Sequence, residues 1–283
     1  MKRLLKNKYF ILAVIIFIAS FIHNAGKENI QPKQRDEMRV HFIDVGEGDS
    51  AFIEFPDGKT MLVDAGEEGE DTLSYLEKSE VEKIDFLVGT HPHSDHIGGL
   101  ATVVRNMEIG NVYMPKVTHN TAIFEDLLLS IKEKGLTINP VYAGDIIYES
   151  DSLLVEILSP KDRKYDNLNN YSVVLKIVYG DTAFLLTGDA EAEILDGIYA
   201  KDIDVLKVPH HGALSSLSEA FLDRTSPGVA VISVGEGNQY GHPHDATLDA
   251  YKKRNIAIFR TDKNGSVIAT SDGLKVTVKG ERE

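Results

Sequence analysis

The histidines of this chain are concentrated at three places, and this distribution limits the folds that the sequence can adopt. Seven of the ten histidines lie in three short clusters, each of which follows an apolar run typical of a strand. The clusters are His91, His93 and His96; His210 and His211; and His242 and His244. Loops at strand ends are where a scaffold presents functional side chains. The fold must therefore bring several strand ends together around one site.

The first cluster has the spacing of a metal-binding segment, T-H-P-H-S-D-H-I-G-G over residues 90–99. In an extended chain, residues two positions apart point the same way, so His91 and His93 can bind one metal ion together. Asp95 and His96 follow, where the chain turns into a helix, and can face a second ion. The chain has no cysteine, so any metal must be held by imidazoles and carboxylates.

A carboxylate that could bridge two ions is predicted at Asp189, which ends the apolar run F-L-L-T-G. An isolated acid at this place would be costly unless it is paired or bound to a cation. Two ions about 3.5–4 Å apart need a bridging ligand to offset their repulsion. His210 or His211 would complete the second ion's ligands. Spacing alone does not separate them; we favour His210 as the ligand and His211 as a neighbour that faces the substrate.

The order of strands and helices predicts an α/β (α+β) fold. Three short strands between residues 39 and 64, joined by glycine-containing turns, predict two antiparallel hairpins. Strands and helices then alternate in two similar halves, and a last hairpin closes the chain. Two such modules packed face to face would give two mixed sheets with external helices. We expect one domain over residues 39–283, after a polar linker over residues 27–38.

Residues 1–26 predict a signal peptide or an N-terminal membrane anchor. Four basic residues, Lys2, Arg3, Lys6 and Lys8, precede an apolar run over residues 9–22. The run suits a secretory signal, whose apolar part is about 7–15 residues long, whereas a spanning helix needs about 20. A buried helix is disfavoured because cations and no acids flank the run. Both readings place the rest of the chain outside the cytoplasmic membrane, secreted or anchored to its outer face.

The charge of the chain limits its partners. Removal of residues 1–26 would take away four positive charges and no negative one, and would change the formal net charge from −14 to −18. Such a protein has no general attraction for nucleic acid or anionic membranes. A polyanionic substrate would need a local positive site, which two divalent cations would supply. No protein partner can be inferred.

Seven motifs in order resemble the metallo-β-lactamase fold superfamily, and within it the extracytoplasmic hydrolase domain of ComEC competence proteins and its stand-alone relatives. They are H-F-I-D-V-G-E-G-D-S, L-V-D-A-G, T-H-P-H-S-D-H-I-G-G, N-N-Y-S-V-V-L-K-I, L-L-T-G-D-A-E, D-V-L-K-V-P-H-H-G-A and Y-G-H-P-H. The resemblance covers about residues 39–278. It implies a four-layer αββα sandwich.

The resemblance also implies the roles of site residues. One ion would be held by His91, His93 and Asp189. The other would be held by Asp95, His96, Asp189 and a histidine of the H-H-G pair. Asp64 would orient a ligating imidazole rather than touch metal. Many members of the superfamily add a mid-chain histidine to the first ion. Here only His119 lies in that stretch, and we expect it to be a surface residue; water, Asn170 or Ser172 would complete the first ion's ligands.

The remaining candidates surround the predicted ions. Asp44, Asp49 and Ser50 lie in the first turn and are expected to line the pocket. His242 and His244 are expected to bind phosphate or deliver a proton to a leaving oxygen, the alternative being a solvated loop. With Asp95 and His211, His242 completes the predicted catalytic group.

These features predict a metal-dependent hydrolase, in the first place a phosphodiesterase or nuclease. Two divalent ions, zinc first and manganese as the alternative, would activate a hydroxide at neutral pH. By resemblance, the substrate is a phosphodiester, and the acidic charge favours short or single-stranded DNA. The alternatives are hydrolysis of a choline phosphoester or a lactone, and a metal-binding module without turnover. A β-lactam ranks low, because the motifs differ from those of the antibiotic-degrading branch.

Overall fold

The structure, a computed structural model, describes residues 36–282. The predicted leader and residues 27–35 of the predicted linker lie outside the described residues, so both stay predictions. Within residues 36–282, no helix is both long and apolar enough to cross a bilayer.

The first half of the described chain alternates strands and helices after two hairpins. Its elements are β1 (Met38–Phe42), β2 (Ala51–Glu54), β3 (Thr60–Val63), α1 (Gly69–Lys78), β4 (Lys83–Val88), α2 (Ser94–Ile97), α3 (Leu100–Asn106), β5 (Glu108–Met114), α4 (Ala122–Glu133), β6 (Ile138–Pro140), β7 (Ile146–Glu149) and β8 (Leu153–Ser159).

The second half repeats this order and ends in a hairpin. Its elements are β9 (Val174–Tyr179), β10 (Thr182–Leu186), α5 (Ala192–Leu195), β11 (Val205–Lys207), α6 (Glu219–Thr225), β12 (Val229–Ile232), α7 (Asp245–Lys253), β13 (Ala257–Arg260), α8 (Thr261–Asn264), β14 (Val267–Ser271) and β15 (Val276–Gly280). Single 3-10 turns lie at Leu168–Tyr171, Pro209–Gly212 and Leu214–Ser216.

The longest helix shows how local sequence sets these bounds. In α4, Phe124, Leu127 and Ile131 recur at helical spacing and are buried. The Thr121 side chain accepts a hydrogen bond from the Phe124 backbone N at 3.3 Å and caps the first turn. Gly135, at φ +70°, follows the last turn, where a glycine relieves the left-handed backbone.

The strands form two mixed sheets, as the sequence predicts. The eight-stranded sheet has the order β15-β14-β1-β2-β3-β4-β5-β6, and the seven-stranded sheet has the order β13-β12-β11-β10-β9-β8-β7. The β1-β2-β3 hairpins are antiparallel, whereas β3 to β6 run parallel. In the second sheet, β10 to β13 run parallel. The last hairpin returns to the first sheet, where β14 pairs with β1, so the two modules exchange strands.

Three apolar layers hold the sheets and helices together. The central layer lies between the sheets and contains fully buried side chains of both, among them Phe42, Ile53, Ile157 and Phe184. A second layer joins the first sheet to α1, α3 and α4, and a third joins the second sheet to α5, α6 and α7. Each large side chain buried this way contributes about 1.5–3 kcal/mol. The order helix, sheet, sheet, helix confirms the predicted four-layer sandwich.

The parallel strands carry the predicted site residues at their carboxyl ends. The segment from His91 to His96 follows β4, and Asp64 follows β3. In the other sheet Asp189 follows β10, the histidine pair follows β11, and the loop to His242 follows β12. Because parallel strands end at the same edge of a sheet, these loops meet at one edge of the sandwich.

The loop between β1 and β2 packs directly on the histidine segment through its backbone. Asp49 N donates to Asp95 O at 3.0 Å, and Gly66 N donates to Asp49 O at 2.8 Å. Gly48 has φ +120°, and a Cβ placed on it would lie 2.1 Å from Asp95 O. Only glycine fits there, because a side chain would push the two loops apart.

We expect Gly48→Ala to lower the free energy of unfolding by about 2 kcal/mol or more beyond the loss in Gly46→Ala. Gly46 is a matched control in the same loop: it also has a positive φ, +72°, but a Cβ there would meet no atom within 4 Å. That variant should lose only about 1 kcal/mol from the left-handed backbone. Urea unfolding followed by circular dichroism measures both values. Equal losses would show that the close approach to Asp95 is not needed.

Candidate metal centre

Four side chains converge at the edge of the sandwich with the spacing of metal ligands. Asp95, His96, Asp189 and His211 each offer one donor atom, and these atoms all lie within 4.8 Å of one another. His96 Nε2 lies 3.1 Å from Asp189 Oδ1, and His211 Nε2 lies 3.3 Å from Asp95 Oδ2. Ligands bound at about 2.0–2.2 Å from a zinc ion stand at comparable separations from one another.

The hydrogen bonds of the two imidazoles leave their Nε2 atoms free for a cation. His96 Nδ1 donates to Asp64 Oδ2 at 2.8 Å, and His211 Nδ1 donates to the backbone O of Ser233 at 2.9 Å. The two Nε2 atoms and Asp189 Oδ1 are buried without a hydrogen-bond partner. Buried polar atoms are normally satisfied, and one cation would satisfy all three. The donor set therefore fits a divalent metal ion.

Asp64 lies behind this group and fixes its geometry. Its carboxylate is fully buried and accepts hydrogen bonds from Thr90 N at 2.8 Å and Thr90 Oγ1 at 2.6 Å, besides His96. Burial raises the pKa of Asp64, although His96 and Thr90 oppose the change. This is the arrangement that an orienting role requires. Thr90, which sequence reasoning did not single out, also lies 3.1 Å from His91 Nδ1.

Asp189 stands between two sets of imidazoles. Its Oδ1 lies 3.1 Å from His96 Nε2 and 3.6 Å from His211 Nε2. Its Oδ2 lies 3.8 Å from His91 Nε2 and 3.5 Å from His210 Nε2. One oxygen thus faces each set, which is the geometry of a carboxylate that bridges two ions.

The set on the Oδ2 side contains the first histidines of the motif. His91 is buried, and its Nε2 lies 3.0 Å from Nδ1 of the half-buried His93. The Ser172 hydroxyl lies 3.4 Å from His91 Nδ1 and accepts a hydrogen bond from Asp189 N at 3.0 Å. Ser172 therefore holds two candidate ligands in place from behind and does not face the ion position itself.

The two histidines of the H-H-G segment lie on different sides of Asp189. The sequence favoured His210 for the second ion, but the structure groups His211 with Asp95 and His96. His210 lies on the side of His91, where its Nδ1 is 3.3 Å from Glu191 Oε1. Both histidines have positive φ, 48° and 52°, and this backbone turns successive side chains toward one cavity. His211, and not the favoured His210, therefore lies with the other candidate ligands of the second ion, and His210 lies on the opposite side of Asp189.

The electrostatic field of the centre favours positive charge. Burial opposes protonation of His96 and His211, but the Asp189 carboxylate and its acidic neighbours outweigh it. They raise the pKa of His96 well above its usual value and that of His211 to about 9. For Asp189, burial is outweighed in turn by His96 and His211, and its pKa falls well below its usual value. The same field would attract a metal cation, which competes with these protons.

The first two imidazoles of the motif, His91 and His93, are held neutral. Burial is the main reason that the pKa of His91 lies well below its usual value, and His96 adds to the effect. Burial also lowers the pKa of His93. A neutral imidazole is the form that binds metal.

A buried ion pair, which sequence reasoning missed, lies beneath the centre. Lys207 is 3% exposed and contacts Asp49 Oδ2, while Asp49 Oδ1 lies 3.4 Å from His211 Nδ1. Asp49 was expected from the sequence to line the pocket, but it is buried behind the candidate ligands instead. The sequence signal was a lone lysine within the buried strand β11.

Three further placements correct the sequence-based ones. Asp44 lies outside the metal centre, beside a separate polar cavity, and accepts a hydrogen bond from Arg282 at 2.5 Å. Ser50 is buried behind the centre, where Thr72 donates to it at 3.0 Å. Asn170 does not reach the donor atoms, because its amide bonds Glu191 N and the Glu193 carboxylate. Their loops are close to the site, but their side chains point away from it.

A cavity of about 440 Å³ opens in front of the donor group. His119, expected to be an ordinary surface residue, lies half-buried on its wall with its ring 6.4 Å from that of His93. His242 also lines the cavity, and burial together with His211 lowers its pKa to about 4. His244 accepts a hydrogen bond from Leu214 N at 3.2 Å and supports the neighbouring loop. The cavity size suits a small organic substrate.

Comparison with known proteins agrees with this geometry. The family model described as the metallo-beta-lactamase superfamily matches residues 43–236. The ComE operon protein 3 of Bacillus subtilis is 31% identical over 265 residues, which cover 84% of this chain and 34% of that protein. This chain therefore spans about a third of that relative's length.

Two further similarities concern a nuclease and a solved structure. The exodeoxyribonuclease YycJ of Bacillus anthracis is 26% identical over 214 residues, covering 66% of this chain and 80% of that protein. The crystal structure of the metallo-beta-lactamase fold protein YhfI from Bacillus subtilis superposes with a TM-score of 0.53 at 13% identity, covering 84% of this chain and all of that one. The family resemblance and the fold expected from the sequence are confirmed.

We expect zinc binding to depend on Asp189 and not on Asp126, a carboxylate in an exposed ion pair with Arg105 that lies outside the donor group. Asp189→Asn should weaken zinc binding by more than the roughly 10- to 100-fold that loss of a supporting residue costs. Asp126→Asn should bind nearly as tightly as the unaltered protein. Elemental analysis and calorimetric titration of metal-depleted protein measure both. Equal affinities in the two variants would remove Asp189 from the centre.

We expect Lys207→Met to lower the free energy of unfolding by about 3–5 kcal/mol, since it leaves Asp49 buried without its counter-ion. The double variant Lys207→Met/Asp49→Asn should lose clearly less than the two single variants together. Lys279→Met, on exposed β15, is the control and should change little. Chemical unfolding of metal-depleted protein gives the four values. Additive losses would mean that the pair does not act as a unit.

Proposed function

The chain belongs to the metallo-beta-lactamase superfamily of metal-dependent hydrolases, and from this premise we propose that it is a phosphodiesterase that cleaves nucleic acid. The observation that carries the proposal is the position of Asp189, with one oxygen facing each of two imidazole sets. A site for two adjacent cations suits displacement at phosphorus, where both the attacking and the leaving oxygen carry charge. The similarity to an exodeoxyribonuclease supports the same reaction class.

Bound divalent ions would lower the pKa of water toward neutrality and stabilise negative oxygens. The chain's own residues do the rest. Asp95, His96 and His211 would hold one ion, and His91, His93 and His210 the other, with Asp189 between them. Asp64 and Ser233 fix the two imidazoles on the Oδ1 side through their Nδ1 atoms. This support holds the two imidazoles in the orientation in which they would bind an ion beside the phosphodiester.

His242 is the candidate for contact with the phosphate or the leaving oxygen. Its ring lies 5.6 Å from that of His210, inside the cavity, and its Nδ1 lies 3.9 Å from Glu47 Oε1. From there a ring nitrogen can donate to an oxygen held at the ions. His244, which is occupied by Leu214 N, is a weaker candidate for this role.

Zinc is the proposed metal, with manganese as the alternative, because the donors are imidazoles and carboxylates. The proposed location is outside the cytoplasmic membrane, with residues 9–22 as a signal or a tether. Only the basic and apolar pattern of residues 1–26 supports this location. The formal net charge of −14 makes a short or single-stranded substrate the better fit, because a long duplex needs an extended basic surface.

We expect the zinc-loaded protein to hydrolyse bis-p-nitrophenyl phosphate and single-stranded DNA, and a chelator to abolish both activities. Asp95→Asn should reduce kcat by at least about 100-fold, because it weakens one ion's ligand set. Asp126→Asn, at an exposed ion pair with Arg105, should leave kcat unchanged.

Three results would redirect the proposal. Turnover of a lactone or a choline phosphoester without phosphodiester cleavage would assign the same centre to another ester. Bound metal without turnover of any of these substrates would indicate a metal-binding module. Failure to cut single-stranded DNA at any salt concentration, with bis-p-nitrophenyl phosphate still cleaved, would exclude the nuclease.

A further inference from the structure

Three aromatic rings form a stack that leads from the donor group to the protein surface. The rings of His211 and His242 lie 6.3 Å apart at an interplanar angle of 23°. The rings of His242 and Tyr240 lie 5.6 Å apart at 21°. Each neighbouring pair of rings is therefore tilted by little more than 20°, and two steps connect a candidate ligand of the second ion with a side chain at the mouth of the cavity.

Tyr240 is the outermost ring of this stack and is open to solvent. It is 58% exposed, although one of its faces lies toward His242. A large aromatic side chain exposed at the mouth of a cavity gains no burial in the free protein, so its free face is available to a ligand. The cavity is also lined by Ile123, which is 37% exposed, so apolar surface is present beside the metal centre.

The loop that carries Tyr240 is held in place by one side chain. Asn238 Oδ1 accepts hydrogen bonds from Tyr240 N at 3.2 Å and His242 N at 3.0 Å, and its Nδ2 donates to His242 O at 2.7 Å. The glycines at 237 and 241 have φ of +68° and +71° and allow the tight turn. The ring is therefore positioned before a ligand arrives, which reduces the entropy lost on binding.

We propose that Tyr240 is the stacking platform for the nucleobase next to the phosphodiester that lies at the metal centre. This inference rests on the proposed function and specifies its substrate: an unpaired nucleotide. A base in a duplex has both faces covered by its neighbours, whereas an unpaired base can lay one face on an aromatic ring. Tyr240 thereby makes the site selective for single strands.

Stacking on Tyr240 matters for binding because the protein as a whole is acidic. Proteins that grip single strands usually combine a basic groove with aromatic side chains, but this chain has a formal net charge of −14. Glu47, near His242, adds a carboxylate to the cavity wall. Base stacking does not depend on counter-ion release, so affinity that comes from Tyr240 should vary little with salt.

The first test compares steady-state kinetics of zinc-loaded variants on a single-stranded trithymidylate and on the same trimer without its bases. Tyr240→Ala should raise KM for the normal trimer on the order of 10-fold, as expected for one stacked base, with little change in kcat. Tyr240→Phe keeps the ring and should match the unaltered protein. Tyr199→Ala removes another exposed tyrosine, 75% exposed and outside the cavity wall, and should have no effect.

The base-free trimer separates stacking from phosphate binding. Its KM should be the same in the unaltered protein and in Tyr240→Ala, because no base is present to lose its platform. A 10-fold effect of Tyr240→Ala on both trimers would overturn the inference, since the side chain would then act on the loop or the phosphate.

The second test measures binding without turnover. The chain contains no tryptophan, so the Tyr240→Trp variant has a single indole at the proposed platform and Tyr199→Trp has one at the control position. Rapid mixing with trithymidylate should quench indole fluorescence in Tyr240→Trp before any cleavage, and the midpoint should shift less than about 3-fold between 50 and 200 mM salt. Tyr199→Trp should show no quenching.

The two tests separate this inference from the proposed function. Base-dependent quenching in Tyr240→Trp without DNA cleavage would support the platform and refute the nuclease. Cleavage of the trimer with equal KM in Tyr240→Ala and the unaltered protein, or quenching that the base-free trimer reproduces, would refute the platform and leave the nuclease in place.

Discussion

The concentration of carboxylates at one edge of the sandwich is the constraint on which the rest of the structure depends. Asp49, Asp64 and Asp189 are buried there, and Asp95 lies beside them. Buried charges of one sign are unstable unless opposite charge is brought to them. The protein supplies Lys207 from β11 and the imidazoles of both sheets, and divalent cations would supply the remaining positive charge. The irregular loops at this edge are thus arranged so that they bring positive charge to the buried carboxylates.

The sequence predicted those ligands of the metal centre that a short stretch of chain identifies by itself. The segment from His91 to His96 carries its geometry in its own spacing, and Asp189 stands out as an acid at the end of an apolar strand. The choice between His210 and His211 could not be made this way, because both have a left-handed backbone that reverses the usual direction of successive side chains. Lys207 and Tyr240 could not be recognised for another reason: Lys207 pairs with Asp49, which is distant in sequence, and the ring of Tyr240 connects to His211 only through His242.

Like the metal centre, the fold could be predicted from the sequence only in part. Turns and apolar runs predicted the β1-β2-β3 hairpins, the alternation of strands and helices, and two sheets, because these features follow from short-range patterns. The exchange of strands between the halves was not visible, because β14 finds β1 across more than 200 residues of chain. The placement of Asp44 failed for the same reason, since its partner Arg282 comes from beyond that last hairpin.

The pairing of β14 with β1 has a consequence for the biogenesis of the protein. The ribosome delivers β1 early, yet one of its edges remains without its partner until residues 267–271 have emerged. Contacts of such long sequence separation form slowly, and an unpaired strand edge is a template for aggregation. A nascent chain of this protein therefore carries an open strand edge while the more than 200 residues between β1 and β14 are synthesised.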